Sequence, residues 1–320
     1  MEIQFDKILT KIEIAPREIY RKDTRLGQFI FRGFWRDREV VVKILSKSYH
    51  AKLPSFTKEI LVNDVLLEGT KNLKFPRVLS NGEDHDFAWL IREFIAGESL
   101  ADTDHIHDLL FGSDQIRPEY QTRLPEILNQ FDDQFCALRG CDRAKLEIAD
   151  WPARYKFDLR DYCLFDIEKG LDASLAQTYR FYSDNLPKYR AEASLVASHG
   201  DLLPANILIA DEGVTLSDFE WFGFDNRLFD IAFLWLFLWR YPSGQRILLT
   251  NSVKNSEDRL FFQMSVIRII TAWYRHAFDE KREKTALILK RREEYKHHIW
   301  KDYLVLAGES FDALIKEGVK

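Results

Sequence analysis

Apolar and polar residues alternate near the start of the chain with the period of two that is typical of half-buried strands. The pattern predicts three strands, at Glu18–Arg25, Gln28–Trp35 and Glu39–Leu45. Arg36 and Asp37 form the short connection between the second and third of these strands. We therefore expect a three-stranded antiparallel meander in this part of the protein.

The period then changes to that of a helix. Phe56, Ile60 and Leu67 lie on one apolar stripe. Ser55 is a suitable N-cap, because its hydroxyl can accept a hydrogen bond from a backbone N–H group of the first turn. We expect a helix that begins at Pro54–Ser55 and ends near Glu68.

Two more extended segments follow this helix, at Phe75–Leu79 and Phe87–Ile95, with turn residues at Asn81–Asp84 between them. The second segment leads into Ala96–Leu100, where Gly97 permits a change of chain direction. The sequence thus predicts that the N-terminal sheet ends close to residue 95.

The remainder of the chain is mostly helical in pattern. Between residues 100 and 193, helices are predicted near Glu119–Leu138, Asp158–Glu168 and Ala173–Tyr189. The longest apolar run, Ile231–Trp239, is less than half as long as a membrane span and predicts a buried helix. The expected class is α+β, with an antiparallel sheet and a helix first and a mostly helical part after them.

One short segment, residues 198–221, carries an unusual number of polar groups. Pro204 removes a backbone donor and predicts a loop, which is followed by a short strand at Ile207–Ala210. Turn residues come next, and then Val214, Leu216 and Asp218 share one face of a second predicted strand. This hairpin is expected to return Asp218 to the side of Asn206.

The polar groups of this segment suit phosphoryl transfer. Asn206 and Asp218 offer oxygen atoms of the kind that Mg²⁺ prefers, and Asp201 is left to act on an acceptor hydroxyl. The plainer interpretation is an ordinary turn followed by a strand. That interpretation leaves the joint spacing of Asp201, Asn206 and Asp218 unexplained.

The stretches His199-Gly-Asp-Leu-Leu-Pro-Ala-Asn206 and Ser217-Asp-Phe-Glu-Trp221 resemble the aminoglycoside phosphotransferase and choline kinase family. That family is the small-molecule branch of the protein-kinase-like fold. The resemblance implies two lobes, a nucleotide-binding lobe at residues 1–95 and a catalytic, substrate-binding lobe at residues 96–320. It also implies that Asp201 is the catalytic residue and that Asn206 and Asp218 hold Mg²⁺.

The resemblance extends to the N-terminal sheet. Val40-Val-Val-Lys43-Ile resembles the third strand of a kinase, in which Lys43 would bind nucleotide phosphates and Glu59 would pair with it. Glu68 is the competing partner on the same helix, and Lys43 could instead be a lone residue whose ammonium reaches the surface. The glycine set that protein kinases carry over the phosphates is missing, since only Gly27 stands in that region.

Two further roles follow from the resemblance. The backbone at Glu93 and Ile95 would contact the nucleotide base, although a strand that simply ends before Gly97 explains the same residues. Asp230 would accept hydrogen bonds from the loop that carries Asp201. A cap at the start of the helix that begins nearby is the plainer interpretation of Asp230, and it is compatible with the first.

Composition excludes only a few classes of protein. The 320 residues are 46% hydrophobic and 30% charged, with a net charge of -5, which describes a globular protein with no reason to bind nucleic acid. Three cysteines in no metal-binding pattern, and no export signal, predict reduced thiols and a cytoplasmic protein without a membrane span. The oligomeric state is left open.

The expected function is transfer of the γ-phosphoryl group of ATP, with GTP as the open alternative, to a hydroxyl group of an antibiotic, amino alcohol or sugar-like metabolite. A catalytically silent module that binds a nucleotide or a partner is the alternative from another class. A protein kinase is disfavoured because Gly200 stands where such enzymes commonly carry arginine, and because only eleven residues separate Asp218 from Asp230.

Overall fold

The structure is a computed structural model that describes residues 8–23, 28–48, 53–102, 116–141, 184–191 and 195–278, with side chains left undescribed at 21–23, 53–55 and 270–278. The chain divides into two compact units. The first unit contains the described residues of 1–100, 129–151 and 205–222, and the second contains those of 101–128, 152–204 and 223–320. The helix expected at Asp158–Glu168 and most of the one at Ala173–Tyr189 lie outside the described residues.

The strands are β1 (Ile14–Asp23), β2 (Gln28–Trp35), β3 (Arg38–Ser46), β4 (Val78–Glu83), β5 (Phe87–Glu93), β6 (Gly97–Ser99), β7 (Leu195–Ser198), β8 (Ile207–Ala210), β9 (Gly213–Leu216) and β10 (Gly223–Asn226). The helices are α1 (Leu53–Gly69), α2 (Pro118–Gln121), α3 (Leu124–Arg139), α4 (Phe229–Phe237), α5 (Pro242–Ser252) and α6 (Ser256–Phe278). Residues 8–11 and 184–189 are also helical, and Pro204–Asn206 and Phe219–Trp221 each form one turn of 3-10 helix.

An antiparallel sheet of five strands, in the order β1-β2-β3-β5-β4, dominates the first unit. The predicted meander is confirmed as β1 to β3. The connection between β2 and β3 has two residues with positive φ, Arg36 at 49° and Asp37 at 63°, and such a turn matches the natural twist of a hairpin. Gln28 pairs with Leu45 and Trp35 with Arg38, so this register places Lys43 opposite Ile30.

The two faces of this sheet pack against different elements. One face buries Phe31, Val42 and Ile44 in a core that the residues before β1 complete through Ile8 and Ile12. On the other face, Leu45, Ala88 and Leu90 pack against Phe56 of α1, with Ile60 at the edge of the cluster. Because side chains alternate along a strand, Lys43 shares this second face with Leu45 and thus points toward the α1 side.

The sheet ends slightly earlier than expected, since β5 stops at Glu93, and the next residues form a strand rather than a simple turn. Gly97–Ser99 is β6, which pairs with β8, and β8 pairs in turn with β9. A Cβ atom at Gly97 would lie 2.5 Å from the carbonyl oxygen of Ile209, so the pairing requires glycine here. The hairpin predicted after residue 206 is confirmed as β8 and β9.

The second unit is mostly helical around a two-stranded antiparallel sheet of β7 and β10. The single helix predicted at Glu119–Leu138 is wrong in detail, because the structure has α2 and α3 there. Pro125 explains the break, since its ring excludes the carbonyl of Gln121 from a continuous helix. The apolar run at Ile231–Trp239 is confirmed as buried helix as far as Phe237, and every residue of α4 is buried. Leu238 and Trp239 lie in the turn that follows, where Trp239 is partly exposed. None of the helices in the described ranges is long and apolar enough to cross a bilayer.

Candidate active site

Lys43 lies at the centre of an ion cluster in the first unit. Its Nζ atom lies 2.8 Å from Oε2 of Glu59, on α1, and 2.6 Å from Oδ1 of Asp218, which follows β9. The side chains of Lys43 and Glu59 are 3% and 8% exposed, whereas that of Asp218 is 34% exposed. The structure therefore brings together one predicted phosphate ligand, its predicted partner and one predicted metal ligand.

The cluster keeps the lysine charged. Burial by itself lowers the pKa of Lys43, but the carboxylates of Asp218 and Glu59 outweigh that effect, so the pKa of Lys43 lies above its ordinary value. A permanently protonated ammonium at this position can neutralise anionic oxygen atoms of a ligand.

Glu59 is held from two sides. Its second oxygen, Oε1, accepts a hydrogen bond of 3.2 Å from Nη1 of Arg92 on β5. Glu68, the competing partner for Lys43, lies exposed near the end of α1. The sequence analysis did not identify Arg92 as a residue of the site. In the structure Arg92 pairs with Val41 and therefore lies on the same face of the sheet as Lys43. The sequence signal for this role is a charged residue within the apolar strand Phe87–Glu93.

Asp218 does not lie on the face of a strand as predicted, because β9 ends at Leu216. The backbone N–H of Ser217 donates to the carbonyl of Asn206 at 2.9 Å, and the chain then turns. Asp218 itself has φ 65° and ψ 61°. Aspartate tolerates this left-handed conformation better than most residues, and the turn directs its carboxylate toward Lys43.

Asn206 is a buried residue that ends the 3-10 turn at Pro204 and comes directly before β8. The bond from Ser217 ties its backbone to the segment that carries Asp218. Within the described parts of the chain, no three His, Cys, Asp or Glu side chains form a metal site. An amide and a carboxylate nevertheless fit Mg²⁺, which commonly takes one or two protein oxygens and completes its shell with water and phosphate.

Asp201 belongs to the second unit, in the loop that follows β7. Its backbone carbonyl accepts a hydrogen bond of 2.8 Å from the N–H of Leu203, and its side chain is half-buried. Gly200 precedes it with φ 79°, a value that favours glycine. His199 is fully buried beneath this loop.

Asp230 holds the same loop from α4. Its carboxylate accepts hydrogen bonds from the backbone N–H of His199, at 2.8 Å, and of Gly200, at 3.0 Å. The structure thus confirms the contact of Asp230 with the loop. It shows no side-chain cap at the start of α4, which begins after Leu228. Burial raises the pKa of Asp230, an effect that His199 and the two backbone donors oppose.

Of the two predicted base-contacting residues, Glu93 is the last residue of β5 and Ile95 lies just beyond it. The backbone N–H of Glu93 donates to the carbonyl of Arg77 at 2.9 Å, and the carboxylate of Glu93 accepts a hydrogen bond from the N–H of Arg77 at 3.2 Å. The carbonyl of Ile95 accepts a hydrogen bond of 2.9 Å from the N–H of Gly97. The contacts that these two residues would make with a nucleotide base stay a prediction.

Comparison with known protein families identifies the family of this chain. A model of the phosphotransferase enzyme family (APH) matches residues 24–260. Because that match covers most of the chain, the protein belongs to this family, as the resemblance in the sequence indicated. A sequence comparison with curated proteins gave no match.

Solved structures of the same fold support that assignment. The GDP complex of aminoglycoside 2'-phosphotransferase-IIIa superposes with a TM-score of 0.59 at 16% identity, over 92% of this chain and 98% of that one. Amicoumacin kinase hAmiN, in complex with AMP-PNP, Ca²⁺ and Ami, gives 0.59 at 11% identity over 93% and 92%. A choline/ethanolamine kinase family protein from Mesorhizobium loti gives 0.57 at 15% identity over 96% and 98%. The fold is therefore protein-kinase-like, as predicted.

Proposed function

We propose that the protein transfers the γ-phosphoryl group of a nucleoside triphosphate to a hydroxyl group of a small molecule. The observation that carries the proposal is the contact of the Lys43 ammonium with Glu59 and Asp218, at 2.8 and 2.6 Å, although Asp218 is 175 positions away in the sequence. A buried lysine between two carboxylates, in a chain of the phosphotransferase family, suits the binding of nucleotide phosphates.

Each residue of the site would have one task. Lys43 would neutralise phosphate oxygens, while Glu59, which accepts a hydrogen bond from Arg92, holds Lys43 in place. Asn206 and Asp218 would hold Mg²⁺, which when bound supplies positive charge to the nucleotide phosphates.

Asp201 would accept the proton of the acceptor hydroxyl. The bond between that hydroxyl oxygen and the γ-phosphorus forms as the bond from phosphorus to the bridging oxygen of the nucleoside diphosphate breaks. A phosphate ester and a nucleoside diphosphate are the products. Because the transition state is loose, positioning and charge neutralisation supply most of the rate enhancement.

Two observations support a small acceptor. Solved relatives of the fold include an amicoumacin kinase and a choline/ethanolamine kinase family protein. Only a short connection, with the turn Phe219–Trp221 and β10, lies between Asp218 and α4, which leaves no room for the long activation segment of a protein kinase. We propose ATP as the donor, with GTP as the competing donor, since relatives were crystallised with AMP-PNP and with GDP.

The proposal is tested by measuring nucleoside diphosphate release with Mg²⁺ and ATP or GTP, against a panel of aminoglycosides, macrolides, choline, ethanolamine, homoserine and sugars. Asp201→Asn should lower kcat by about a hundredfold or more and leave the nucleotide KM nearly unchanged. Asp211→Asn, at the exposed turn between β8 and β9, is the matched control and should behave as wild type.

Unchanged transfer by Asp201→Asn would remove Asp201 from the role of base. Tight nucleotide binding without turnover against the whole panel would favour the silent binding module over the kinase. The cytoplasmic location expected from the cysteines stays a prediction.

A further inference from the structure

Arg268, in the middle of α6, is among the largest fully buried side chains of the described residues and takes no part in the proposed chemistry. Its guanidinium group binds the carboxylate of Asp225, on β10, through two parallel contacts. Nη1 lies 2.6 Å from Oδ1, and Nη2 lies 2.8 Å from Oδ2. Arg268 is 1% exposed and Asp225 is 3% exposed, so the ion pair is shielded from solvent.

Further buried polar groups join this ion pair. Nη1 of Arg268 also donates to the hydroxyl of Tyr189 at 3.1 Å, and that hydroxyl lies 2.8 Å from the hydroxyl of Ser265. The side-chain amide of Asn226 donates to the carbonyl of Tyr189 at 3.0 Å. The cluster therefore joins α6, β10 and the helical segment at 184–189 inside the second unit.

Stability alone does not explain such a cluster. An apolar replacement of similar volume is often as stable as a buried ion pair, because taking both charges out of water is costly. The pair does fix geometry, because the two contacts of a guanidinium with a carboxylate hold both groups in one relative orientation. We therefore expect the ion pair to contribute more to the position of Asp225 than to the stability of the fold.

Asp225 lies where it can orient the loop that carries Asp201. Within the sheet of β7 and β10, Asp225 pairs with Val196, and β7 runs directly into His199 and Gly200. On the other side, the carboxylate of Asp225 accepts the N–H of Asn226 at 2.7 Å, and the side-chain oxygen of Asn226 accepts the N–H of Leu228 at 3.1 Å. These bonds lead to the start of α4, whose Asp230 holds the same loop.

We propose that Arg268 and Asp225 are positioning residues that fix the loop carrying Asp201. The inference rests on the proposed function, in which Asp201 accepts the hydroxyl proton. The pair acts along two routes, through β10 to β7 and through Asn226 to α4, and both routes reach the backbone of His199 and Gly200. Both residues would act through the backbone of the loop and not by contact with the reacting groups.

The test compares Arg268→Lys with wild type at a temperature well below unfolding. Lysine keeps the charge but lacks the two-pronged geometry. We expect kcat to fall by about tenfold with the nucleotide KM within about twofold of wild type, since misplacing a reacting group slows the chemical step. Hydrogen exchange of the His199 and Gly200 amides, which Asp230 binds, should accelerate by about tenfold.

Met264→Ala is the matched control, because Met264 is fully buried on the same helix and its loss loosens packing without removing the ion pair. This variant should be destabilised but keep kcat and the exchange rates of both amides. If Arg268→Lys does not fold, Tyr189→Phe provides a milder test. This variant removes one hydroxyl contact of Arg268. It should lower kcat and accelerate exchange of the two amides by about threefold each.

Wild-type kcat and amide exchange in Arg268→Lys would overturn the proposal. Equal losses of kcat in Met264→Ala would also overturn it, because general loosening would then explain the effect. If the wild-type protein transfers no phosphoryl group to any acceptor, the proposed function fails. The exchange measurement still decides whether the ion pair fixes the loop.

Discussion

Lys43 and Asp218 are 175 positions apart in the sequence, and the folded chain brings the ammonium of one within 2.6 Å of the carboxylate of the other. The contact joins β3 of the large sheet to the turn that follows β9. Since Asp218 is also the proposed metal ligand, a bound cation and Lys43 would share one carboxylate.

Replacing Lys43 with methionine should raise the nucleotide KM and lower kcat, with kcat/KM reduced by about a hundredfold or more. The physical reason is the loss of a buried positive charge that would stabilise phosphate oxygens. Steady-state kinetics with varied nucleotide measure the effect. Lys47→Met is the control, because Lys47 comes directly after β3 and pairs with Glu83, and the kcat/KM of this variant should equal that of wild type.

Replacing Asp218 with alanine should abolish the part of nucleotide stabilisation that depends on Mg²⁺. A thermal shift assay with nucleotide, measured with and without Mg²⁺, gives the difference directly. The protein should still fold, because the Asp218 side chain is a third exposed and Glu59 still pairs with Lys43. An unaltered Mg²⁺ dependence would remove Asp218 from the metal site.

Asp84 should make the stability of the first unit depend on pH at the acid end. Its carboxylate accepts the backbone N–H groups of Asp86 and Phe87, at 2.9 and 2.8 Å, and pairs with Lys11 at 3.1 Å. Burial raises the pKa of Asp84, but these bonds outweigh it, and the pKa lies below its ordinary value of 3.8. The contribution is therefore present above pH 3.8 and is lost as the pH falls through the folded-state value.

Asp84→Ala should thus destabilise the protein by about 1–2 kcal/mol near neutral pH, through two lost hydrogen bonds to the backbone. Urea unfolding at a series of pH values measures the difference, which should shrink as the solution becomes more acidic than pH 3.8. Asp86→Ala is the neighbouring control on the same turn. A constant difference between wild type and Asp84→Ala down to the lowest pH would contradict the assignment.

The pair of Arg268 and Asp225 should show strong coupling in stability. Arg268→Met alone should cost about 3–5 kcal/mol, because it leaves a buried carboxylate without its cation. The double variant Arg268→Met, Asp225→Leu should recover a large part of that loss, since neither charge remains. Denaturant unfolding of both single variants and the double variant measures the coupling, and simple additivity of the two single losses would contradict it.

Much of the first unit could be predicted from local patterns. Alternation and the Arg36–Asp37 turn predict β2 and β3, and the helical stripe predicts α1. The conformation of Asp218 could not be predicted, because the alternation of Val214, Leu216 and Asp218 continues past the residue where the strand ends. The left-handed backbone conformation of Asp218 directs its carboxylate toward Lys43, and no pattern of apolar residues encodes that conformation.

The choice between Glu59 and Glu68 shows a second limit. The two residues are nine positions apart, which in a helix places them on opposite sides. Only knowledge of which side faces the sheet decides between them, and Phe56, Val62 and Leu66 show that Glu59 lies on the buried side. The network of Arg268 was not predicted either, because its partners are far apart in the sequence and depend on tertiary packing.

The helix that carries Asp230 consists entirely of buried residues, seven of them with apolar side chains larger than alanine. Displacing Asp230 would require those side chains to leave a close-packed interior, which has little free volume to receive them. The backbone of His199 and Gly200 is thus bonded to a helix that close packing holds in place. The position of the loop that carries Asp201 would therefore depend on hydrocarbon packing several residues away, in α4.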